Sequence, residues 1–384
     1  VDRASRVRVG AERRRGRMRL RVAVCGTRAT AATTGIATAL GATHRFAVVD
    51  DLSIRASGAG ALTPQLADLD AAAFDMLVID LATTEDVLLR QGRSDLDVVR
   101  NHLLEAIDRA SRAGCRTLVL VSPLRNRFAF DRPLRDVALG ELRDLGVAVL
   151  DLYSVIERAA ATAGRDVTTF FCDPFRLRSD IEAEVAELVA DRIEALAAMP
   201  ASSREVTSHP IRPTRSIGIE AMRIDGRAAT VVARAGERDI VALPAGGRLD
   251  IAVPPGTRLV AVLVDPGVSA GTLLDGGGHR VFEIAHPARA DVGVRRATVI
   301  CRPIERPTVA GPAGITLHLA DAEAPVVAHL HLAGFVVEAP DGHHPAMILH
   351  CPAFATSDAT GREEPRAAAL ARAVLATPAP AATA

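Results

Sequence analysis

Leu20-Arg-Val-Ala-Val-Cys25-Gly26-Thr27-Arg28 is the stretch on which the reading of the fold turns. Val22 to Cys25 is apolar without alternation, the pattern of a short strand buried on both faces rather than one. A glycine follows at once, then a hydroxyl, then a run of small residues with helical preference. That is a tight strand-to-helix turn, with Thr27 placed to cap the helix through its side chain.

Four more short apolar runs follow, at Phe46–Val49, Met76–Leu81, Thr117–Val121 and Val147–Leu152. Helical periods lie between them. The longest predicted helix covers 95–113, with Val99, Leu103, Ile107 and Ala110 on one face. Ser94 and Asp97 are expected to start it and Gly114 to stop it. A last helix over 180–198 puts Ile181, Val185, Leu188, Val189, Ile193 and Leu196 on one stripe. Buried strands alternating with helices predict an α/β domain with a doubly wound, parallel five-stranded sheet. In such domains ligands bind at the carboxyl ends of the strands.

From about residue 210 the hydrophobic period becomes two. Strands are expected at 217–222, 230–233, 258–264, 279–284, 297–301, 315–319, 326–332 and 347–351, divided by Asp-Gly, Pro-Gly and Gly-Gly turns. This predicts an all-β sandwich or jelly roll. The expected divisions are 1–18, an Arg-rich extension; 19–199, the α/β domain; 200–210, a Pro/Ser-containing linker; 211–356, the sandwich; and 357–384, an Ala/Pro-rich tail.

The chain has 384 residues, enough for two cores. Its formal net charge is zero, so no global field attracts nucleic acid or an anionic membrane surface. All 46 basic residues are Arg, and Trp is absent, which reads as the codon bias of a GC-rich genome. Residues 1–21 carry nine Arg without an apolar run behind them, so they do not read as a secretory signal. Met18 directly precedes the first strand, and the first 17 residues read as an upstream extension. No segment reaches the ~20 apolar residues that span a bilayer. Cysteines at 25, 115, 172, 301 and 351 form no C-x-x-C pair, which favours a reducing, cytoplasmic setting over a disulfide framework.

A hydroxyl at the turn after strand one faces the positive end of the following helix, where a nucleophile would be activated. Much further on, Cys172-Asp173-Pro174-Phe175-Arg176-Leu177 precedes the last amphipathic helix. These two segments, with Arg55-Ala-Ser57-Gly58 after the second strand, make residues 19–198 resemble an SGNH/GDSL-type hydrolase domain. The resemblance implies ester hydrolysis or O-acyl transfer on a small-molecule or glycan ester. It implies Thr27 as nucleophile, Gly26 and Gly58 as oxyanion donors, and Asp173 as the acid of the triad, with no cofactor or metal. Two letters depart from it. Active members carry Ser where Thr27 stands and His where Arg176 stands, and the Asn of the loop after strand three has no counterpart in Asp80–Asp86. Guanidinium stays protonated and cannot act as base. His44 and His102, the histidines nearest the site in sequence, have the wrong positions.

The competing expectation is a non-enzymatic binding protein, in which Arg28, Arg55 and Arg176 line the old cleft and hold an anion. The β-rich half carries nine of the eleven His. His329 and His331 share one strand face, with His318, His343, His344, His350 and Glu338 nearby in sequence, but the spacing matches no metal motif. Solvated histidines are the expectation there.

Overall fold

The computed structural model describes residues 19–26, 35–52, 59–67, 73–82, 84–92, 94–130, 132–174, 176–206, 211–235, 238–285, 299–321, 329–340, 347–352 and 359–376. The first five strands are β1 (Arg21–Gly26), β2 (Val48–Asp51), β3 (Met76–Ala82), β4 (Arg116–Ser122) and β5 (Ala148–Asp151). They form one parallel sheet in the order β2-β1-β3-β4-β5. The chain moves from β1 to β2 on one side and then returns to β3 on the other. That reversal puts the topological switch point between β1 and β3, where a doubly wound sheet opens a crevice.

Alternate residues of each strand serve two cores. Val22, Val24, Met76, Val78, Leu118 and Leu120 face α1 (Ile36–Ala42), α6 (Leu152–Ala163) and α7 (Ser179–Ala198). Ala23, Cys25, Leu77, Ile79, Val119 and Val121 face α2 (Leu62–Ala67), α4 (Leu96–Arg112) and α5 (Pro133–Val137), with α3 (Thr84–Arg90) beside them. Both faces are therefore covered, which is why the strands read as continuous apolar runs. The cap of α4 is Asp95, whose side chain accepts from Asp97 N–H. Ser94, the expected cap, is one residue too early for that bond. Gly114 follows the helix with φ 80°, as its stop requires.

The second half is all-β. One antiparallel sheet orders β10 (Val231–Ala235), β11 (Arg238–Pro244), β18 (His329–Glu338), β13 (Arg258–Val264) and β16 (Ile300–Val309), with β7 (Thr214–Ile217) also on β18. The other orders β15 (Arg280–Ile284), β14 (Gly271–Asp275), β17 (Ile315–Leu319), β12 (Arg248–Ile251), β8 (Met222–Ile224) and β9 (Arg227–Ala228). Their inner faces meet in one core that includes Val241, Leu249, Val262, Leu317 and Phe335. The outer face of the first of these sheets is not left to water. Ile240, Val260, Ala261, Leu263, Cys301, Ala333 and Val336 pack against Ala61 and Val98 of the α/β domain.

Two segments outside the expected domains carry regular structure, and the second matches an Ala-rich helix expected from Gly361 onward. Within the expected linker 200–210, β6 (Ala201–Val206) is a strand, paired antiparallel with β19 (Met347–Pro352). That ladder is built from backbone groups, and Ala-Ser-Ser-Arg-Glu-Val carries no apolar alternation to announce it. Within the expected tail 357–384, α8 (Ala359–Ala376) is an 18-residue helix that returns to the α/β domain. Its Ala367, Leu370, Ala371 and Val374 are buried at helical spacing, and the last three join the core beneath α6 and α7.

Candidate functional site at the carboxyl edge of the parallel sheet

Gly26 ends β1 beside the switch point, in register with Asp80 of β3. A Cβ at Gly26 would lie 2.5 Å from the Asp80 carbonyl oxygen and 2.9 Å from its Cβ, so the two strands close only over a glycine. Asp80 is buried, and its carboxylate accepts a short hydrogen bond from the Ser122 hydroxyl at the end of β4. β3 runs one residue past the expected strand Met76–Leu81, so Asp80, also read as the start of the following loop, lies within the strand.

The β2 side of Gly26 is held differently. β2 runs out at Asp51, opposite Val24. There the side chain of Gln65 on α2 takes over: its Oε1 accepts from Gly26 N–H at 3.0 Å and its Nε2 donates to the Gly26 carbonyl at 3.0 Å. Nothing in Leu62-Thr-Pro-Gln-Leu-Ala67 signals this, because the partner is far away in sequence and the contact exists only once the helix is packed.

The segment with Asp173 lies on the same edge. Arg125, just past β4, donates its N–H to the Pro174 carbonyl at 3.0 Å. An isolated bridge between Phe171 and Leu177 pinches the loop, and Cys172 N–H donates to the Arg176 carbonyl at 3.0 Å. Inside the pinch, Asp173 accepts from Arg176 N–H at 2.8 Å and from its Nε at 2.5 Å. Donating this bond to the Asp173 carboxylate raises the pKa of the Arg176 guanidinium above its ordinary value. Arg176, expected from the resemblance at the place of a base, is thus a cation paired with the neighbouring carboxylate. Of the other expected site residues, Thr27, Arg28, Arg55 and Gly58 lie outside the described residues.

Two further carboxylates sit at this edge, and both serve structure. Asp151, at the end of β5, is buried, which alone would raise its pKa, but bonds from Arg135 and Ser154 outweigh that and hold it low. Asp86 on α3 is fully buried and caps α5, accepting from Leu134 N–H at 2.9 Å; burial pushes its pKa up to about 6.

The two histidines of the α/β domain stand elsewhere. His44 lies in the turn leading into β2, at the opposite, amino edge of the sheet. His102 is buried between the domains, its Nδ1 3.2 Å from the Thr63 hydroxyl and its Nε2 without a hydrogen-bond partner among the described residues. Burial lowers its pKa to about 4, so it is neutral at pH 7. In the sandwich, His329 and His331 lie ring to ring at 5.4 Å, while His318 belongs to the other sheet. Glu338 ends the ten-residue strand that His329 begins, about 30 Å away. Among the described residues no group of three or more His, Cys, Asp or Glu could hold a metal ion. Also among them, no helix is long and apolar enough to cross a membrane.

No protein-family model matches the chain, and no curated protein sequence matches it. Its fold is shared with a two-domain esterase (CEX) active on acetylated mannans. That enzyme's crystal structure superposes with a TM-score of 0.58, and its structure co-crystallized with mannopentaose with 0.57. In each case 12% of aligned residues are identical, and the match covers 88% of this chain and 96% of the other. The likeness therefore extends over both domains, and at this identity it is a likeness of fold.

Proposed function

We propose that this chain is a diverged SGNH-type protein that binds an acyl ester of a glycan, or of a similar small molecule, at the carboxyl edge of its parallel sheet without efficient hydrolysis. The single observation that carries this reading is the pairing of Asp173 with Arg176. In an active triad the carboxylate orients an imidazole, which takes the proton of the nucleophile. Here the carboxylate is engaged by a backbone N–H and a guanidinium of its own loop. Guanidinium cannot accept that proton.

The sheet, the glycine-closed end of β1 and the loop before α7 supply a position for a substrate and for backbone donors. General-base assistance, typically worth on the order of 10²- to 10⁴-fold in rate, is what the pairing removes. A two-domain fold shared with an esterase of acetylated mannans makes an O-acetylated glycan the first ligand to test.

Calorimetric titration with acetylated manno-oligosaccharides should show binding, and the unmodified protein should release acetate at no more than the background rate. The double substitution Thr27→Ser with Arg176→His should raise acetate release measurably above both single variants. Rapid release by the unmodified protein, abolished by Thr27→Ala, would overturn the loss of hydrolysis. Absence of binding to every acetylated oligosaccharide would overturn the ligand class.

A further inference from the structure

The short helix α2 touches both the end of β1 and the β-rich domain. Six residues are too few to hold a helix in water, and this one is surrounded. Ala59, Leu62 and Leu66 pack into the core under the parallel sheet, while Ala61 packs on the outer face of the sandwich. A Cβ at Gly60 would stand 3.0 Å from the Cβ of Ala261 on β13, so the segment entering α2 lies almost against that strand. Polar groups follow the same division. The Thr63 hydroxyl is 2.6 Å from that of Thr214 on β7, which in turn donates to Glu105 on α4. Arg238 on β11 donates to the Pro64 carbonyl at 3.3 Å. Gln65, the next residue, turns the other way and holds Gly26.

The geometry of that last contact is that of a strand pair. Val24 O accepts from Leu52 N–H on the β2 side. Gly26, two residues on, directs its N–H and C=O to the same side, where β2 has ended. The Gln65 carboxamide offers one acceptor and one donor in the pattern of a peptide group and pairs with both. Gly26 is fixed on the other side by β3, so the end of β1 is held between β3 and one glutamine.

We propose that Gln65 is the positioning residue of the end of β1 at Gly26, and that the β-rich domain sets the position of that strand end through α2. The second domain is then a buttress of the site rather than an appendage to it. This rests on the cleft reading above only in taking the end of β1 as part of the ligand site; its test does not require turnover.

The measurement is hydrogen exchange of the Gly26 amide in the full chain, taken as a ratio to the Val78 amide in β3, which reports the stability of the sheet. Coupling between distant sites needs such a local readout, since proximity alone is not evidence of it. Gln65→Met, which keeps the length and loses the polar atoms, should speed Gly26 exchange at least tenfold with Val78 unchanged. Gln65→Glu keeps the acceptor for Gly26 N–H and should restore most of the protection. On the far side, Thr214→Val and, separately, Arg238→Ala should each speed Gly26 exchange several-fold. Unchanged exchange in Gln65→Met overturns the positioning role. A response to Gln65→Met with none to either sandwich-side variant overturns the transmission through α2. If all of these variants respond while acetylated glycans fail to bind, the buttress stands and the ligand reading falls.

Discussion

Asp173 and Glu338 are both carboxylates faced by arginine, and they are held in opposite ways. The side chains of Asp173 and Arg176 keep 29% and 48% of their surface in water, and the pair is local, three residues apart in one loop. The Glu338 side chain keeps 2% and draws its partners from across the molecule. Asn101 Nδ2 donates to it at 3.2 Å from the α/β domain, Arg258 Nη1 lies at 2.9 Å from β13, and Arg212 Nη1 lies at 3.5 Å from the segment before β7. Burial nevertheless wins over the Arg212 guanidinium and the Asn101 bond and, with Asp95 and Glu105 adding like charge, pushes its pKa up to about 7. A solvated pair costs little and can be altered freely; a desolvated one joins two domains and resists change. The side-chain pair within the Asp173 loop is thus exposed and short-range, whereas the Glu338 cluster at the domain interface is buried and long-range.

The comparison breaks most visibly if the interface is given a charge it cannot solvate. Val336 is fully buried in the cluster shared by the two domains. Val336→Asp should cost at least roughly 3 kcal/mol, because an unpaired carboxylate is trapped or the domains part. Thermal melts would measure it. A loss under about 1 kcal/mol would show that the interface opens readily.

A second test sharpens it through pH. Glu338 has a folded pKa above its unfolded value, so its contribution is complete below about pH 4.5 and is lost as pH rises through about 7. His102 has a folded pKa near 4 against 6.5 unfolded; its neutral form is the one the fold accepts, so its contribution is complete above about pH 6.5 and is lost as pH falls toward 4. In the unmodified protein the two slopes oppose each other between these limits. Glu338→Gln should gain stability over the unmodified protein as pH rises from 4.5 to above 7, by up to roughly 3 kcal/mol. His102→Gln should gain over it in the reverse direction, as pH falls from 6.5 to 4. Denaturant midpoints across that range give both difference curves. A flat Glu338→Gln curve would mean that the arginines keep Glu338 ionised throughout.

What the sequence made legible follows the same division. The five parallel strands were readable because burial on both faces leaves uninterrupted apolar runs, and Gly26 because a strand-to-helix turn needs it. In the sandwich β13, β15 and β17 match the expected strands closely, but β11, β12 and β14 were not read at all, and the expected strand 217–222 divides into β7 and β8 around a turn at Ile219–Ala221. β16 continues from Cys301 through Pro303 and Pro307 to Val309 because it ends its sheet's pairing order and can tolerate residues that donate no ladder bond. β18 passes Gly334, at φ 152°, where the sequence stopped it at Leu332. Gln65, Ser122 and Glu338 carried no local signal. Each takes its role from a partner far off in the chain, and periodicity cannot see that. Asp173 and Arg176, three residues apart, were singled out from sequence as a departure from the expected pair, but the bond that joins them was visible only in the structure.

The smallest expected effect lies at that departure. Arg176→Ala removes an exposed guanidinium whose bonds are to a partly exposed carboxylate three residues away, and the Phe171–Leu177 bridge and the Cys172 backbone bond remain to hold the loop. Surface pairs of this kind contribute little, since solvent replaces them when they are cut. The melting temperature should therefore not move measurably, in contrast to Val336→Asp. A clear drop would place the Asp173–Arg176 pair among the structural contacts of the fold, which would explain Arg176 without any change of function. With stability unchanged, an altered affinity for an acetylated glycan in the same variant assigns Arg176 to the ligand instead.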